Sequence, residues 1–327
     1  MIARTASLYV RMMRFRVALT MWTFMLLGVA AHAGDTVSWD LVLATIALAS
    51  SYVTATTLND IADEGIDRIN RPRDRGRPLV WGDASTRDLR RTWGAATGIA
   101  VVAAVPLGGA ATAAIGCSLL ISWAYSAGPI RFSRRMVLAP LALSAAYVVV
   151  PYWLGTTLAG GAVRAADGPI LVGLFVLFTA RIMLKDFRDR LGDERYGKPT
   201  LLFRLGKRAT CRFSIAGAVA GSAILIVAVA PGVVVAAMLC LPVAAIVWML
   251  RRLATDPEGR DEQVSIGLAA RAGNCLLISL LAILLLEADR ATGTEIAVVV
   301  AGIVAACAVA FVGPARHPDT VRIGYKA

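Results

Sequence analysis

Residues 39–58 read WDLVLATIALASSYVTATTL, a run of twenty residues in which Asp40 is the one charged side chain. An α-helix needs about twenty mostly apolar residues to cross the hydrocarbon core of a bilayer. The run therefore predicts a membrane-spanning helix, and further runs of the same kind decide the fold of the whole chain.

Such runs recur along the sequence, and tight turns at residues 106–109 and 231–232 separate neighbouring ones. The ten predicted spans are 17–33, 39–58, 93–109, 111–127, 137–158, 169–185, 212–230, 232–250, 267–287 and 295–313. No long linker interrupts them. We therefore predict an all-α, polytopic transmembrane helix bundle, with residues 1–327 forming a single integral membrane domain.

The composition of the 327-residue chain agrees with this prediction. Hydrophobic residues make up 57% and charged residues 17%, and the mean hydropathy is +0.67. Soluble domains have about 45–50% apolar and about 25% charged residues, so a soluble globular protein is excluded, as is a disordered one. We expect no cleavable signal peptide, because no small-residue cleavage site follows the first apolar run. The five cysteines are scattered and the histidines number two, which favours core packing of the cysteines over a metal site.

The net charge of +12 is explained by where the basic residues lie. About 29 of the 34 Lys and Arg fall in alternate loops, which share one side of the membrane if the ten spans alternate in direction. Cytoplasmic loops carry such an excess, so we predict that both termini face the cytoplasm, in a bacterial-type inner or plasma membrane. The bilayer is then the partner of the apolar surface, and we expect no nucleic-acid partner, because no soluble domain exists to carry a basic face.

Two of these loops begin with regularly spaced carboxylates at the ends of spans. Asp60, Asp63 and Asp67 follow the second span, and Asp186, Asp189 and Asp193 follow the sixth. Both sets have the spacing i, i+3, i+7, which places three side chains on one face of a continuous helix. The sequence therefore predicts two facing stripes of carboxylates at one membrane surface.

Six carboxylates brought together repel one another unless cations lie between them. Mg²⁺ prefers oxygen ligands and usually combines one or two carboxylates with substrate phosphates, so two Mg²⁺ ions could bridge a diphosphate. Neighbouring Arg and Lys would bind its other oxygens, and the diphosphate would become a good leaving group. The alternative for each stripe is a solvated helix end with local ion pairs; a calcium loop fits poorly, because its ligands alternate along the loop.

The motif Asn59-Asp60-x-x-Asp63-x-x-x-Asp67, the second motif from Asp186 to Asp193, and the segment from Tyr125 to Arg131 together resemble the UbiA superfamily of intramembrane prenyltransferases. The resemblance covers residues 10–290 and leaves 291–327 as an extra C-terminal span and tail. It implies a nine-span core around a central cavity open to the cytoplasm. It also implies Mg²⁺, a polyprenyl diphosphate, and an acceptor that is most often an aromatic ring of the hydroxybenzoate or naphthoate kind, as in quinone synthesis.

The resemblance and the positions of the residues together give a set of candidate site residues. Asp60, Asp63, Asp186 and Asp189 are the catalytic candidates, and Asp67 and Asp193 complete the metal set. The substrate-binding candidates are Asn59, Arg77, Tyr125, Arg131, Lys185 and Lys198. For these the alternatives are a helix-end amide for Asn59, an interfacial anchor for Tyr125 and an ion-pair partner for Lys185; which of Arg68, Arg71, Arg73, Arg75 and Arg77 contacts phosphate stays open.

Other functions also fit parts of the pattern. A terpene cyclase of the same superfamily would ionise the same diphosphate and quench the cation internally, and a related transferase would use a glycerol or sugar phosphate. A membrane transporter would more usually place its charges near the bilayer midplane. Here the carboxylates stand at span ends on one side, which favours the enzyme.

Overall fold

The computed structural model describes residues 2–32, 38–72 and 74–318. Among these residues every regular element is helical, and fifteen α-helices follow one another. Their bounds are α1 Ile2–Met12, α2 Phe15–Ala30, α3 Trp39–Ala62, α4 Glu64–Asn70, α5 Pro78–Trp81, α6 Thr86–Ala104, α7 Gly109–Ser126, α8 Leu138–Ser144, α9 Val150–Leu158, α10 Asp167–Ile182, α11 Arg190–Arg195, α12 Leu201–Val229, α13 Val233–Leu253, α14 Arg260–Ala288 and α15 Gly293–Arg316. The all-α prediction is confirmed.

Each of the ten apolar segments predicted from the sequence overlaps one or more helices of the described residues. A π-helical stretch, Ala145–Val149, joins α8 to α9 and makes 138–158 one continuous span. Pro151 lacks the N–H that an α-helical bond to residue 147 would need, which accounts for the irregular turn there. The two predicted turns are also present, because Gly108 and Gly232 adopt the positive φ angles that glycine tolerates.

Seven of the described helical segments are long and apolar enough to cross a membrane, with α8 to α9 counted as one, and α1 with α2 would make an eighth as a pair bent by 67°. The helices of two predicted spans, 93–109 and 169–185, do not meet the same standard of length and apolar composition. The first turns of α6 carry three arginines, and α10 ends after 16 residues in a 3₁₀ turn, Met183–Phe187. The count of ten spans therefore stays a prediction, and the predicted end of the first span at residue 33 lies outside the described residues.

Contacts divide the described chain into two units. The first comprises residues 2–163 and 189–200, and the second comprises 164–188 and 201–318. The prediction of a single domain stays a prediction. In the first unit α3 packs against α6 and α7, and α2 packs against α9. Its core is rich in alanine, which lets helices approach closely.

Two glycines allow α2 and α9 of the first unit to pack closely. A Cβ on Gly28 of α2 would lie 2.3 Å from the carbonyl oxygen of Tyr152, and one on Gly155 of α9 would lie 2.0 Å from that of Met25. Neither position has room for a side chain, so α2 and α9 are held backbone to backbone.

The second unit is built from α10 and α12–α15, with α10 against α12 and α14 against both α13 and α15. Gly173 and Gly221 serve the α10–α12 contact in the same way, since a Cβ on Gly221 would lie 2.8 Å from the Gly173 carbonyl oxygen. The helix α12 begins at Leu201 and bends at Gly206, where φ is 78°. Residues 186–211 lie between two predicted spans and were therefore expected to form a loop, but α11 and the first turns of α12 make much of this stretch helical.

Candidate active site

The first carboxylate motif lies at the end of α3, and it is not one continuous helix. The helix α3 ends at Ala62, Asp63 has φ −112° and ψ 17°, and α4 begins at Glu64. The Asn59 side-chain amide donates to the Asp63 carboxylate over 3.0 Å. Asn59 thus holds the residue at the joint, as a helix-end amide does.

The second motif breaks at the same relative position. Asp186 lies on the 3₁₀ turn, Asp189 has φ −101° and ψ 9°, and Asp193 lies on α11. The expectation of two uninterrupted helical stripes was wrong for both motifs, because in each the middle aspartate lies at a break between two helical segments.

The short helices α4 and α11 pack against each other through two glycines. The backbone N–H of Gly192 donates to the Asn70 side-chain oxygen over 2.6 Å. A Cβ on Gly192 would lie 2.6 Å from the carbonyl oxygen of Ile66, and one on Gly65 would lie 2.3 Å from the Tyr196 hydroxyl. This close contact brings Asp67 of the first motif and Asp189 and Asp193 of the second into one region of the first unit.

Arg77 links two carboxylates of the first motif. Its Nη1 lies 2.6 Å from Asp60 Oδ1 and also donates to Asp67 Oδ2. Arg14 holds Asp60 from another side, with its Nη2 2.7 Å from both carboxylate oxygens. The first and third aspartates therefore converge on a single guanidinium nitrogen.

The remaining carboxylates of the first unit are paired as well. Arg131 Nη2 lies 3.2 Å from Asp63 Oδ1, and Lys198 Nζ lies 3.2 Å from Asp193 Oδ1 and 3.9 Å from Asp63 Oδ2. Arg71 Nη2 lies 2.5 Å from Asp189 Oδ1. We call these residues the carboxylate–arginine cluster; its members are Asp60, Asp63, Asp67, Asp189, Asp193, Arg14, Arg71, Arg77, Arg131 and Lys198.

Burial strengthens the interactions between the charged side chains of this cluster. Asp60, Asp67 and Arg77 each expose 5% or less of their surface. Burial raises the pKa of Asp67 to about 7, with Arg77 opposing the shift and Asp60 adding to it. Burial likewise lowers the pKa of Arg77, against the attraction of Asp60. The positive charge of Arg77 therefore stabilises the ionised form of Asp67.

Within the cluster, the Nε donors of Arg77 and Arg131 are buried and have no hydrogen-bond partner among the described residues. Buried polar groups are nearly always satisfied, so such donors indicate a missing acceptor. The Arg77 guanidinium is planar and donates in a fork, which suits the oxygens of a phosphate.

Lys185, Asp186 and Tyr125 are predicted site residues that are not among the members of the cluster as defined above. Lys185 and Asp186 belong to the second unit, on the 3₁₀ turn, where both are half-buried. Tyr125 is buried near the end of α7. The roles predicted for these three residues stay predictions.

Sequence reasoning missed Arg14 and left Arg71 as one of several candidates. Arg14 stands between α1 and α2 with φ 42° and ψ 61°, and α1 itself was not predicted. The signal that could have found the helix is the spacing of Leu8 and Met12, which are four residues apart and both buried. Of the five loop arginines left open, Arg71 and Arg77 join the cluster. The exposed Arg68 pairs with Glu64, Arg75 lies over the ring of Trp81, and Arg73 lies outside the described residues.

The donor set suits a hard divalent cation that keeps positions for substrate oxygens. Among the described residues, no three Asp, Glu, His or Cys side chains come together closely enough to hold a metal alone. Mg²⁺ does not require this, because it usually takes one or two carboxylates and completes its shell with waters and phosphates. Asp60 and Asp67, which already converge on one cationic nitrogen, fit that requirement.

Residues 20–272 match the UbiA prenyltransferase family. The chain belongs to this family. It is a prenyltransferase and an integral membrane protein, as the resemblance of its motifs implied.

Individual relatives agree with the family assignment. The chain is 33% identical to the digeranylgeranylglyceryl phosphate synthase of Methanoculleus marisnigri, over 67% of this chain and 76% of that protein. It is 32% identical to the homogentisate phytyltransferase of Synechocystis, over 59% of this chain and 65% of that protein. A UbiA homologue from Archaeoglobus fulgidus, solved with GPP and Mg²⁺, has the same fold, with a TM-score of 0.64, 17% identity and coverage of 85% of this chain and 99% of that one.

Proposed function

We propose that this UbiA-family prenyltransferase binds a polyprenyl diphosphate together with Mg²⁺ at the carboxylate–arginine cluster, and transfers the prenyl group to an acceptor, an aromatic ring. The observation that carries the proposal is the position of Arg77. Its buried guanidinium bridges Asp60 and Asp67 while its Nε has no acceptor among the described residues. The A. fulgidus homologue, bound to GPP and Mg²⁺, supports the choice of ligands.

Each residue then has a defined part. Bound Mg²⁺, for which we propose two ions, would supply Lewis-acid stabilisation of the leaving diphosphate. Asp60, Asp63 and Asp67 would hold metal from one motif, and Asp186, Asp189 and Asp193 would hold it from the other. Arg14 and Arg77 would exchange their carboxylate partners for diphosphate oxygens, which they can bind bidentately.

The basic residues around the cluster would hold the negative charge that develops as the allylic C–O bond breaks. Arg131 and Lys198 both lie within ion-pair distance of Asp63. Their positive charges would therefore lie close to a diphosphate bound there and would stabilise its developing negative charge. Lys185 would bind the same group from the second motif. Tyr125 would lie at the acceptor side, and Asn59 would keep Asp63 oriented.

A second acceptor class has support from a named relative. The M. marisnigri protein is a digeranylgeranylglyceryl phosphate synthase, which indicates a glyceryl phosphate acceptor for that protein. The Synechocystis relative uses homogentisate, an aromatic acid, which supports the ring acceptor equally. Membership of a family of prenyltransferases favours both over a transporter.

The orientation of the protein is part of the proposal. We infer that both termini and the mouth of the site face the cytoplasm, because the basic residues concentrate in the loops that carry the two motifs. The C-terminal tail beyond residue 318 lies outside the described residues.

The test uses purified protein in lipid nanodiscs with a panel of labelled prenyl diphosphates. Diphosphate release should require Mg²⁺, and Asp60→Ala and Asp186→Ala should abolish it. Arg68→Gln, which breaks an exposed ion pair, is the matched control and should retain activity. If either aspartate variant releases diphosphate at the wild-type rate, the proposed site is wrong.

The acceptor is decided by a second panel. Aromatic acids and glyceryl phosphates are supplied separately with the prenyl diphosphate that reacts. A prenylated ring supports the proposal, a prenyl glyceryl ether supports the second candidate, and a cyclic hydrocarbon or alcohol formed without acceptor identifies a cyclase.

A further inference from the structure

The N-terminal helix α1 directs two arginines, Arg4 and Arg11, toward the segment that follows the first motif. Arg4 Nη2 lies 3.0 Å from the Asp83 carbonyl oxygen and 3.0 Å from Asp88 Oδ2. Arg11 Nη1 lies 2.9 Å from Asp83 Oδ2, and its Nη2 donates to the carbonyl oxygen of Arg75. Spaced by seven residues, the two side chains leave the same side of the helix.

Arg11 thus contacts both ends of one short segment, through the backbone of Arg75 and the side chain of Asp83. The stretch 75–83 contains Arg77 and the single helical turn α5. Asp74 adds local support, because its carbonyl oxygen accepts from Arg77 N over 2.9 Å. Buried Leu79 packs against Leu8 of α1 in the middle of this segment, and Arg11 adds contacts at its two ends.

The helix α1 is itself anchored to α3, the helix that carries Asp60. Leu8 and Met12 expose 3% and 0% of their surface. The Thr56 hydroxyl of α3 donates to the Met12 carbonyl oxygen over 2.8 Å, and the Tyr9 hydroxyl lies 2.6 Å from that of Ser50. Through α1, Arg11 therefore connects the backbone around Arg77 to the helix that bears its carboxylate partner.

We propose that Arg11 is a positioning residue, which acts through Arg77 by holding the 75–83 segment so that one guanidinium reaches both Asp60 and Asp67. The proposal rests on the proposed function in one respect, that Arg77 contacts the diphosphate. Arg11 itself touches neither carboxylate of that pair.

The pair that Arg11 makes is suited to a test, because removing it should leave the fold intact. Arg11 exposes 29% of its side chain and Asp83 exposes 44%, and ion pairs this exposed contribute little to stability. The conservative variant Arg11→Lys keeps the charge but loses the fork that reaches two acceptors at once. Arg90, an exposed arginine at the start of α6, provides the matched control.

The kinetic experiment measures prenyl diphosphate turnover with Mg²⁺ for the wild type, Arg11→Gln, Arg11→Lys and Arg90→Gln. Arg11→Gln should raise KM for the diphosphate about tenfold and change kcat by less than about twofold, with Arg11→Lys intermediate and Arg90→Gln unchanged. In an Arg77→Gln background the same Arg11 change should have less than about a twofold effect, because the residue it positions is gone. An effect that is undiminished in that background overturns the proposal, as does an unchanged KM.

A second readout does not need activity. Hydrogen exchange in nanodiscs should show the amides of residues 74–83 exchanging about tenfold faster in Arg11→Gln than in the wild type or Arg90→Gln. Unchanged exchange there overturns the positioning role whatever the kinetics show. If the wild type releases no diphosphate, the proposed function fails, while the exchange result still decides whether Arg11 holds the segment.

Discussion

Replacing Arg77 with methionine should destabilise the protein far more than the loss of an ordinary ion pair. Arg77 exposes 5% of its surface and bridges two buried carboxylates, so Arg77→Met leaves Asp67 without its main counter-charge. Removing one partner of a buried pair costs about 3–5 kcal/mol. Asp60 keeps Arg14, and Asp67 can take up a proton near neutral pH, so we expect the lower end, about 3 kcal/mol.

The assay is SDS-induced unfolding in bicelles, followed by the fluorescence of the seven tryptophans. A loss of about 3 kcal/mol corresponds to about a 150-fold change in the unfolding equilibrium. The control is Arg68→Gln, whose exposed pair with Glu64 should contribute no more than about 0.5 kcal/mol. Adding Asp67→Asn to Arg77→Met should recover part of the loss. If Arg77→Met costs no more than Arg68→Gln, the reasoning about a buried, mutually dependent cluster is refuted.

Three further predictions use the same unfolding assay. Gly155→Ala should lower the free energy of unfolding by about 1–3 kcal/mol, because the new Cβ would lie 2.0 Å from the Met25 carbonyl oxygen. The control Gly98→Ala, where no atom lies within 4 Å of the new Cβ, should be neutral or stabilising, and equal effects of the two variants would contradict the close α2–α9 contact. Gly192→Ala should separate α4 from α11 at a similar cost of about 1–3 kcal/mol and also reduce diphosphate release, and retention of full activity would show that this contact does not shape the site. Hydrogen bonds from the backbone N–H and hydroxyl of Ser85 lower the pKa of Asp88. The Asp88 carboxylate therefore stabilises α6 at pH values above its ordinary pKa, and this stabilisation is lost as the pH falls through the lowered pKa. Asp88→Asn should remove this part of the pH dependence of stability, and an unchanged pH profile would contradict the prediction.

Long apolar helices and the identity of the functional motifs could be predicted from the sequence, because both depend on local composition. The run at 39–58 lies within α3, and every predicted span lies within, or overlaps, a helix. The breaks at Asp63 and Asp189 could not be predicted, because the spacing i, i+3, i+7 shows where a helix would place the carboxylates and not where that helix ends.

The partners of the carboxylates were harder still to predict. Arg14 and Asp60 are separated by 46 residues, and Arg71 and Asp189 by 118, so their pairing depends on tertiary packing. The helix α1 was missed for a related reason. It mixes arginines with apolar residues and buries one side, so a search for uniformly apolar runs passes over it.

The carboxylate–arginine cluster has a consequence for the order in which ligands can bind. Its five carboxylates are matched by four arginines and one lysine within the described residues, so the resting site supplies its own counterions. A divalent cation arriving alone must displace guanidinium groups from the carboxylates, whereas a diphosphate arriving with it offers those groups new acceptor oxygens. Metal and diphosphate should therefore bind with positive cooperativity, each raising the affinity for the other. Calorimetric titration of Mg²⁺ with and without a non-hydrolysable prenyl diphosphate analogue would measure this coupling, and equal affinities would show that the ion pairs do not compete with the metal.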